Sequence, residues 1–283
     1  MSLGVAFKGP EGIVLAADSR VTLNAQAQAP NGQVMLLPAT FDNATKLLKV
    51  KGQEFVGAVT YGAGAIGRSA GAQGLQEVRT AHSYIPEFET TLADCKRLTV
   101  QEFAQRLSDF FLQRWREAGM PIPAPLGQDM VFLVGGYDEG EAYGKVFEVY
   151  VPSKPNPRET LPAGQFGATW GGQHQIVSRL MNGYDVMTAK VVRDFLQMPA
   201  AAGQPDLLEA ELRTKFGTKI PWQFLPLQDC VDLSIFLISA TITLQKWTVD
   251  IRGVGGAIDV ATVTRTEGFK YVQQKAVTGE AKS

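Results

Sequence analysis

Ser2 is the residue from which a chemical reading starts. It follows Met1 and runs at once into the strand-like sequence LGVAFK, so its hydroxyl sits at a tethered end where chains usually carry slack. Loss of Met1, which a small second residue favours, would leave Ser2 with a free α-amine a few bonds from its own hydroxyl. An α-amine titrates at about 7.7–8.0, close to where a general base is most effective at neutral pH. A hydroxyl activated by its own terminal amine attacks an amide carbonyl and needs no histidine. Two conditions follow: nothing may precede the nucleophile, and the terminus must be rigid. The histidine content agrees with this chemistry. His82 and His174 are the only two in the sequence, too few for a zinc site and a poor basis for a histidine-centred triad. Cys95 and Cys230 lack metal-ligand spacing and read as buried free thiols in a reducing, cytoplasmic setting.

Positioning a terminal nucleophile requires a strand-rich frame. GIVLAADSRVTL and LLKVKGQEFVGAVTYG are apolar, β-branched runs broken by glycine. Between them NAQAQAPNGQVMLLPATFDN, with its Asn31-Gly32 turn signal, reads as a long loop or a protruding hairpin. Thr99-Val100-Gln101-Glu102 is a capping box. Behind it Phe103, Leu107, Phe110, Phe111 and Trp115 recur at helical spacing, as a core-facing stripe. DMVFLVGGYD and KVFEVYVPS are strands again. QIVSRLMNGYDV and LQDCVDLSIFLISATITL are helices, the second with Leu227, Val231, Ile235, Ile238 and Ile242 on one expected face. Its core, VDLSIFLISATITL, is too short to span a bilayer and reads as a buried helix. GGAIDVATVTRTEGF closes the chain in strands. This order does not alternate as βαβ units would. It predicts an α+β fold of four αββα layers, two antiparallel sheets packed together with helices outside.

At 283 residues and 45% hydrophobic content the chain can bury a large core. The reading is a single domain over 1–272, with insertions at about 24–41 and 197–226 and a polar, disordered tail from 273 to 283. A net charge of −1 makes no electrostatic case for nucleic acid or an anionic membrane. No secretory leader is expected. No cofactor is expected.

The opening SLGVAFKGPEGIVLAADSR resembles that of proteasome β-type subunits, which are N-terminal nucleophile hydrolases, and most of all the bacterial HslV-type and Anbu-type relatives. GVGGAIDVATVTRTEGF resembles the family's late strand motif. The resemblance places Ser2 where the family usually has threonine, Asp18 on its acid, with Arg20 beside it, and Lys46, in NATKLLKV, on its active-site lysine. Gly62, in VTYGAG, matches the glycine whose N–H serves the oxyanion. Lys46 would then favour ionisation of the hydroxyl, and Asp18 would hold Lys46, because a lone buried ammonium is costly. Two departures stand out. The family's Gly-Ser-Gly loop reads Ala168-Thr169-Trp170-Gly171-Gly172, leaving Thr169 as a stand-in for the serine. Its late Asp-x-x-Ser-Gly-Gly motif lacks the serine and carries Asp250 one residue early. Trp170 reads as packing and His174 as a surface or helix-start residue.

The resemblance implies a self-compartmentalising peptidase, a homo-oligomer of stacked rings or an open helix, acting on peptide or unfolded protein with an ATPase unfoldase as possible partner. A small-amide N-terminal nucleophile amidase and a noncatalytic ring-forming subunit are the alternatives. A serine also lacks the methyl group that restricts threonine's rotamers.

Overall fold

In a computed structural model of the chain, residues 2–28, 34–67, 78–125, 127–162, 164–197, 207–249 and 252–277 are described. The N-terminal half holds β1 (Leu3–Lys8), β2 (Ile13–Asp18), β3 (Val21–Gln28), β4 (Val34–Phe41), β5 (Leu47–Leu48), β6 (Val56–Gly62), β7 (Ala65–Ile66), β8 (Arg79–Thr80), α1 (Ile85–Thr91) and α2 (Val100–Glu117). It continues with β9 (Met130–Gly136), β10 (Lys145–Val151), β11 (Lys154–Glu159), β12 (Gly167–Gly172), α3 (Gln175–Asn182), α4 (Val186–Leu196), α5 (Leu207–Phe216), α6 (Leu227–Gln245), β13 (Ile258–Thr264) and β14 (Gly268–Gln273).

Two five-stranded antiparallel sheets, ordered β12-β1-β2-β13-β14 and β11-β10-β9-β6-β5, lie face to face. Ala6, Ile13, Leu15, Val59, Val131 and Leu133 fill the layer between them. On the outside of the second sheet, α1 and α2 lay Phe88, Phe103, Phe111 and Trp115 over Phe132 and Val134. Val177 of α3 and Leu237 and Ile238 of α6 cover Leu3, Val5, Phe7 and Val14 on the other sheet. The four-layer αββα expectation is therefore met. Every residue of β1 and β2 is buried, because each strand has a sheet against one face and helices against the other. The capping box forms, with Thr99 Oγ1 accepting from Glu102 N–H at 3.2 Å and Glu102 Oε2 accepting from Thr99 N–H at 2.9 Å.

Several local readings need correction. The buried face of α6 is Cys230, Val231, Ser234, Leu237, Ile238 and Thr241, while Leu227, Ile235 and Ile242 are half-buried. The helix is apolar nearly all round, so hydropathy does not say which side faces the sheet. Ser234 and Thr241 enter the core cheaply because their hydroxyls bond the Val231 and Leu237 carbonyls at 2.7 and 2.9 Å. At 19 residues α6 is long and apolar enough to cross a membrane, but here it packs on β1, β2 and β13 as a core helix. Residues 21–28 and 34–41 pair as antiparallel strands, β3 against β4, with Val21 opposite Phe41; the Asn31-Gly32 turn lies outside the described residues. Of the two thiols, Cys230 is buried and Cys95 only half-buried. The expected disordered tail starts too early: Gln273 ends β14 and Lys275 is ion-paired with Asp259, while 278–283 lie outside the described residues.

Candidate active site

Ser2 is 3% exposed. Antiparallel pairing of β1 with β12 sets Leu3 opposite Gly172, and the Ser2 carbonyl accepts from Gln173 N–H at 2.8 Å. The terminus is thus held as a strand, which meets the rigidity condition. The Ser2 hydroxyl accepts from Gly62 N–H at 3.3 Å. Gly62 closes β6 at φ 84°, where a side chain is strained, and a Cβ there would stand 2.2 Å from the Asp129 carbonyl oxygen. The turn aims its N–H at Ser2 Oγ, a placement that an oxyanion donor would need.

Asp18 ends β2 and is 1% exposed. Each of its oxygens takes two donors. Oδ1 accepts from Leu3 N–H at 3.0 Å and from Lys46 Nζ at 2.6 Å; Oδ2 accepts from Arg20 N–H at 3.1 Å and Gly255 N–H at 2.9 Å. The carboxylate therefore ties the strand that follows Ser2 to Lys46 and to the loop before β13. Lys46 lies just before β5, its side chain 5% exposed, and its carbonyl is fixed by Thr60 N–H at 3.0 Å. Burial pushes its ammonium below the ordinary lysine range; Asp18 opposes that by charge and hydrogen bond, Lys275 adds to the lowering, and Asp259 opposes it. Ser2, Lys46 and Thr60 border one small cavity of about 10 Å³. Thr60 Oγ1 there has no hydrogen-bond partner among the described residues.

The supporting residues divide. Arg20 forks Asp42 at 2.6 and 2.7 Å and donates to the Arg252 carbonyl at 3.1 Å. It steadies the 252–256 loop whose Gly255 N–H reaches Asp18, and a Cβ on Gly255 would strike the guanidinium at 2.5 Å. Thr169 is not at the site. The β1–β12 register sets it opposite Ala6, three residues beyond Gly172 and so roughly 10 Å along the strand. Gly172 is the β12 residue that lies against Ser2: at φ 91° it leaves 1.9 Å between a built Cβ and the Ser2 carbonyl oxygen. Asp250 lies outside the described residues. His174 caps the start of α3, with Nδ1 2.8 Å from the Gly172 carbonyl. Trp170 packs into the α3–α6 layer and donates to Ser178 Oγ at 3.1 Å.

A larger cavity of about 560 Å³ opens beside Ser2, walled by Tyr61, Val131, Tyr150 and Trp170, with Asp129 and His174 also on its lining. Tyr61 and Tyr150 belong to a network that the sequence does not announce. Both phenols donate to Glu148 Oε1, at 3.1 and 2.7 Å, and Arg158 holds Oε2 at 2.6 Å. Burial and the adjacent carboxylate push the Tyr150 phenol up to about 12, and Tyr61 further in the same direction. Glu148 sits mid-strand on β10, and only β-strand alternation hints that its side chain turns inward towards β6. Gly4 and Gly171 flank the Tyr61 ring; a Cβ on either would come within 2.7 Å or less of it.

No protein-family model matches this sequence, and no curated protein does. Solved structures do share its fold. An Anbu Gly-1 mutant from Hyphomicrobium sp. strain MC1 aligns over 97% of this chain and 86% of its own at 17% identity, TM-score 0.53. Anbu from Yersinia bercovieri, described as an ancestral β-subunit, aligns over 96% and 87% at 15% identity, TM-score 0.50. The helical assembly of the Anbu complex from Pseudomonas aeruginosa aligns over 97% and 88% at 15% identity, TM-score 0.53. At such identities the likeness is one of fold.

Proposed function

We propose that this chain is a proteasome-like N-terminal nucleophile peptidase in which Ser2 attacks the scissile carbonyl. The observation that carries the reading is the Ser2 hydroxyl at 3.3 Å from Gly62 N–H, on a strand tied through Asp18 to a buried Lys46. The reading requires Ser2 to be the first residue of the working chain, with its α-amine, directly or through a water, as the base. Lys46 stays protonated and supplies positive charge to the developing alkoxide. Gly62 N–H stabilises the oxyanion of the tetrahedral intermediate. The amine's proton then passes to the departing nitrogen, and water hydrolyses the Ser2 ester.

The same reading makes the working unit a cytoplasmic homo-oligomer that encloses peptide or unfolded protein, with an ATPase unfoldase as candidate partner. The helical assembly of a protein of this fold supports self-association. So does a stripe of exposed apolar residues, Met187, Val191 and Phe195, one turn apart on α4. A noncatalytic assembly subunit is the second reading. It is favoured by Gly172 lying against Ser2, with Thr169 displaced along β12, so that no β12 hydroxyl stands near a terminal amine.

The test is intact mass with N-terminal sequencing, followed by hydrolysis of fluorogenic peptides by the wild type and Ser2→Ala. A chain that starts at Ser2, cleaves peptide and loses cleavage in Ser2→Ala without losing assembly supports the peptidase. Retention of Met1 on every copy, or full activity in Ser2→Ala, refutes it.

A further inference from the structure

A second ion pair, with its acid buried, lies on the strand next to that of Asp18. The Ile258–Thr264 strand, β13, pairs with β2 so that Ile258 stands opposite Asp18 and Asp259 opposite Ala17. The Asp259 side chain is 4% exposed, and both of its oxygens are taken by one residue: Oδ1 accepts from Lys275 N–H at 2.9 Å, and Oδ2 pairs with the Lys275 ammonium. Lys275 comes from the segment after β14, a stretch that composition alone marks as tail. Two further bonds fold that end of the chain over the site's backbone. Tyr271 Oη donates to the Leu47 carbonyl at 3.4 Å, next to Lys46, and Gln273 Nε2 donates to the Ile258 carbonyl at 2.7 Å.

We propose that Lys275 is a positioning residue for Lys46, holding with Asp259 a second ion pair on the strand next to that of Asp18. The inference rests on the reading of Lys46 as part of the active site. The C-terminal segment thereby contributes to chemistry at the N-terminus. Asp259 holds Lys275 on β13 while Tyr271 of the same chain end reaches the Leu47 carbonyl, and the Lys275 ammonium opposes a second positive charge nearby while Asp259 favours one. Burial, followed by Asp18, dominates Lys46, and Lys275 and Asp259 act on it with opposite signs. Among the described residues, the charged groups coupled to Lys46 are Asp18 of β2, Asp42 before β5, Asp259 of β13 and Lys275, joined in the proposed working chain by the Ser2 α-amine; Tyr271 of β14 lies within reach of Asp259, and His82, in the 3₁₀ turn before α1, within reach of Lys275.

The arrangement predicts two variants that break one ion pair yet act in opposite directions. Lys275→Met removes a cation and exposes Lys46 to an unpaired Asp259, so Lys46 holds its proton to higher pH. Asp259→Asn removes an anion and leaves the Lys275 cation, so Lys46 releases its proton at lower pH. Each shift is expected to be about half a pH unit to one unit. Titration of ¹³C-labelled lysines by NMR, with Lys46→Met assigning the resonance, reads this without relying on turnover. The alkaline limb of kcat/KM should move the same way, and Lys275→Arg should restore the wild-type limb. Opposite shifts support the inference. An unmoved Lys46 resonance, or shifts of one sign in both variants, overturns it and leaves the pair a structural staple. Opposite NMR shifts in a chain without peptidase activity would instead uphold the electrostatic coupling and refute the catalytic reading of Lys46.

Discussion

Removing Lys46 should harm the fold less than neutralising Asp18, although both changes break the same 2.6 Å ion pair. In Lys46→Met the carboxylate of Asp18 loses one of its four donors. Three backbone N–H groups, from Leu3, Arg20 and Gly255, remain on it at 2.9–3.1 Å. The methionine fills most of the lysine's volume and removes a buried ammonium that burial already disfavours. One charged hydrogen bond is worth about 1.5–3 kcal/mol, part of which the relief of lysine desolvation offsets, so the expected loss is about 1–2 kcal/mol. Asp18→Asn is different. One oxygen becomes an NH₂ group facing two donors, either Leu3 N–H with Lys46 or Arg20 N–H with Gly255 N–H. Two buried donors are then unsatisfied at about 1–3 kcal/mol each, and the Lys46 charge loses its counter-ion, giving about 3–5 kcal/mol in all. Guanidinium unfolding at matched protein concentration, followed by tryptophan fluorescence and far-UV circular dichroism, measures both. Peptide hydrolysis should fail in both variants. Equal destabilisation, or a larger loss in Lys46→Met, would refute the claim that the backbone donors, rather than the lysine, are the main support of Asp18.

Three further outcomes follow from the geometry. Gly62→Ala should lower kcat by about 10²–10³-fold, the cost of losing one oxyanion donor, because a Cβ 2.2 Å from the Asp129 carbonyl must rotate the N–H away from Ser2; unchanged kcat with wild-type circular dichroism would remove Gly62 from the mechanism. Asp185 caps α4 through Thr188 N–H at 2.9 Å and binds Arg179 at 2.5 Å, and these bonds outweigh burial and hold its carboxyl below the ordinary aspartate range. Its contribution is present above the unfolded-state value and is lost as pH falls through the lower folded value. Asp185→Ala should therefore cost about 1–2 kcal/mol near neutral pH and progressively less in acid, and a pH-independent deficit in urea unfolding would contradict the charge assignment. In the cavity wall, Tyr61→Phe should cost about 1 kcal/mol, since Glu148 keeps Tyr150 and Arg158, whereas Glu148→Ala strips all three partners and should cost several times more in the same measurement.

Much of this protein was legible from local signals. The capping box at Thr99, the aromatic stripe of α2 and the strand runs depend on neighbours in sequence, and they appear as read. Ser2 and Asp18 are brought close by the β1–β2 hairpin and Lys46 and Gly62 by the pairing of β5 with β6, and the packing of the two sheets then joins the two pairs. The misreadings have a common source. The buried side of α6 is set by the sheet beneath it, and Thr169 was displaced by strand register, which neither composition nor motif spacing encodes. Lys275 reads as a solvated tail residue until β14 carries it back to Asp259.

Taken alone, the sequence determined the element types, the order that makes two packed antiparallel sheets, and the placing of Ser2 directly before a buried strand. Hydrophobic period, capping and turn chemistry act over a few residues, so one chain suffices to read them. Only the tertiary structure decided how the buried charges and dipoles are compensated: Asp18 by an amide 237 residues away at Gly255, Glu148 by two phenols and Arg158, and Asp259 by Lys275. A charge taken out of water must find its partner in space, and the pairing of strands determines which residue that is.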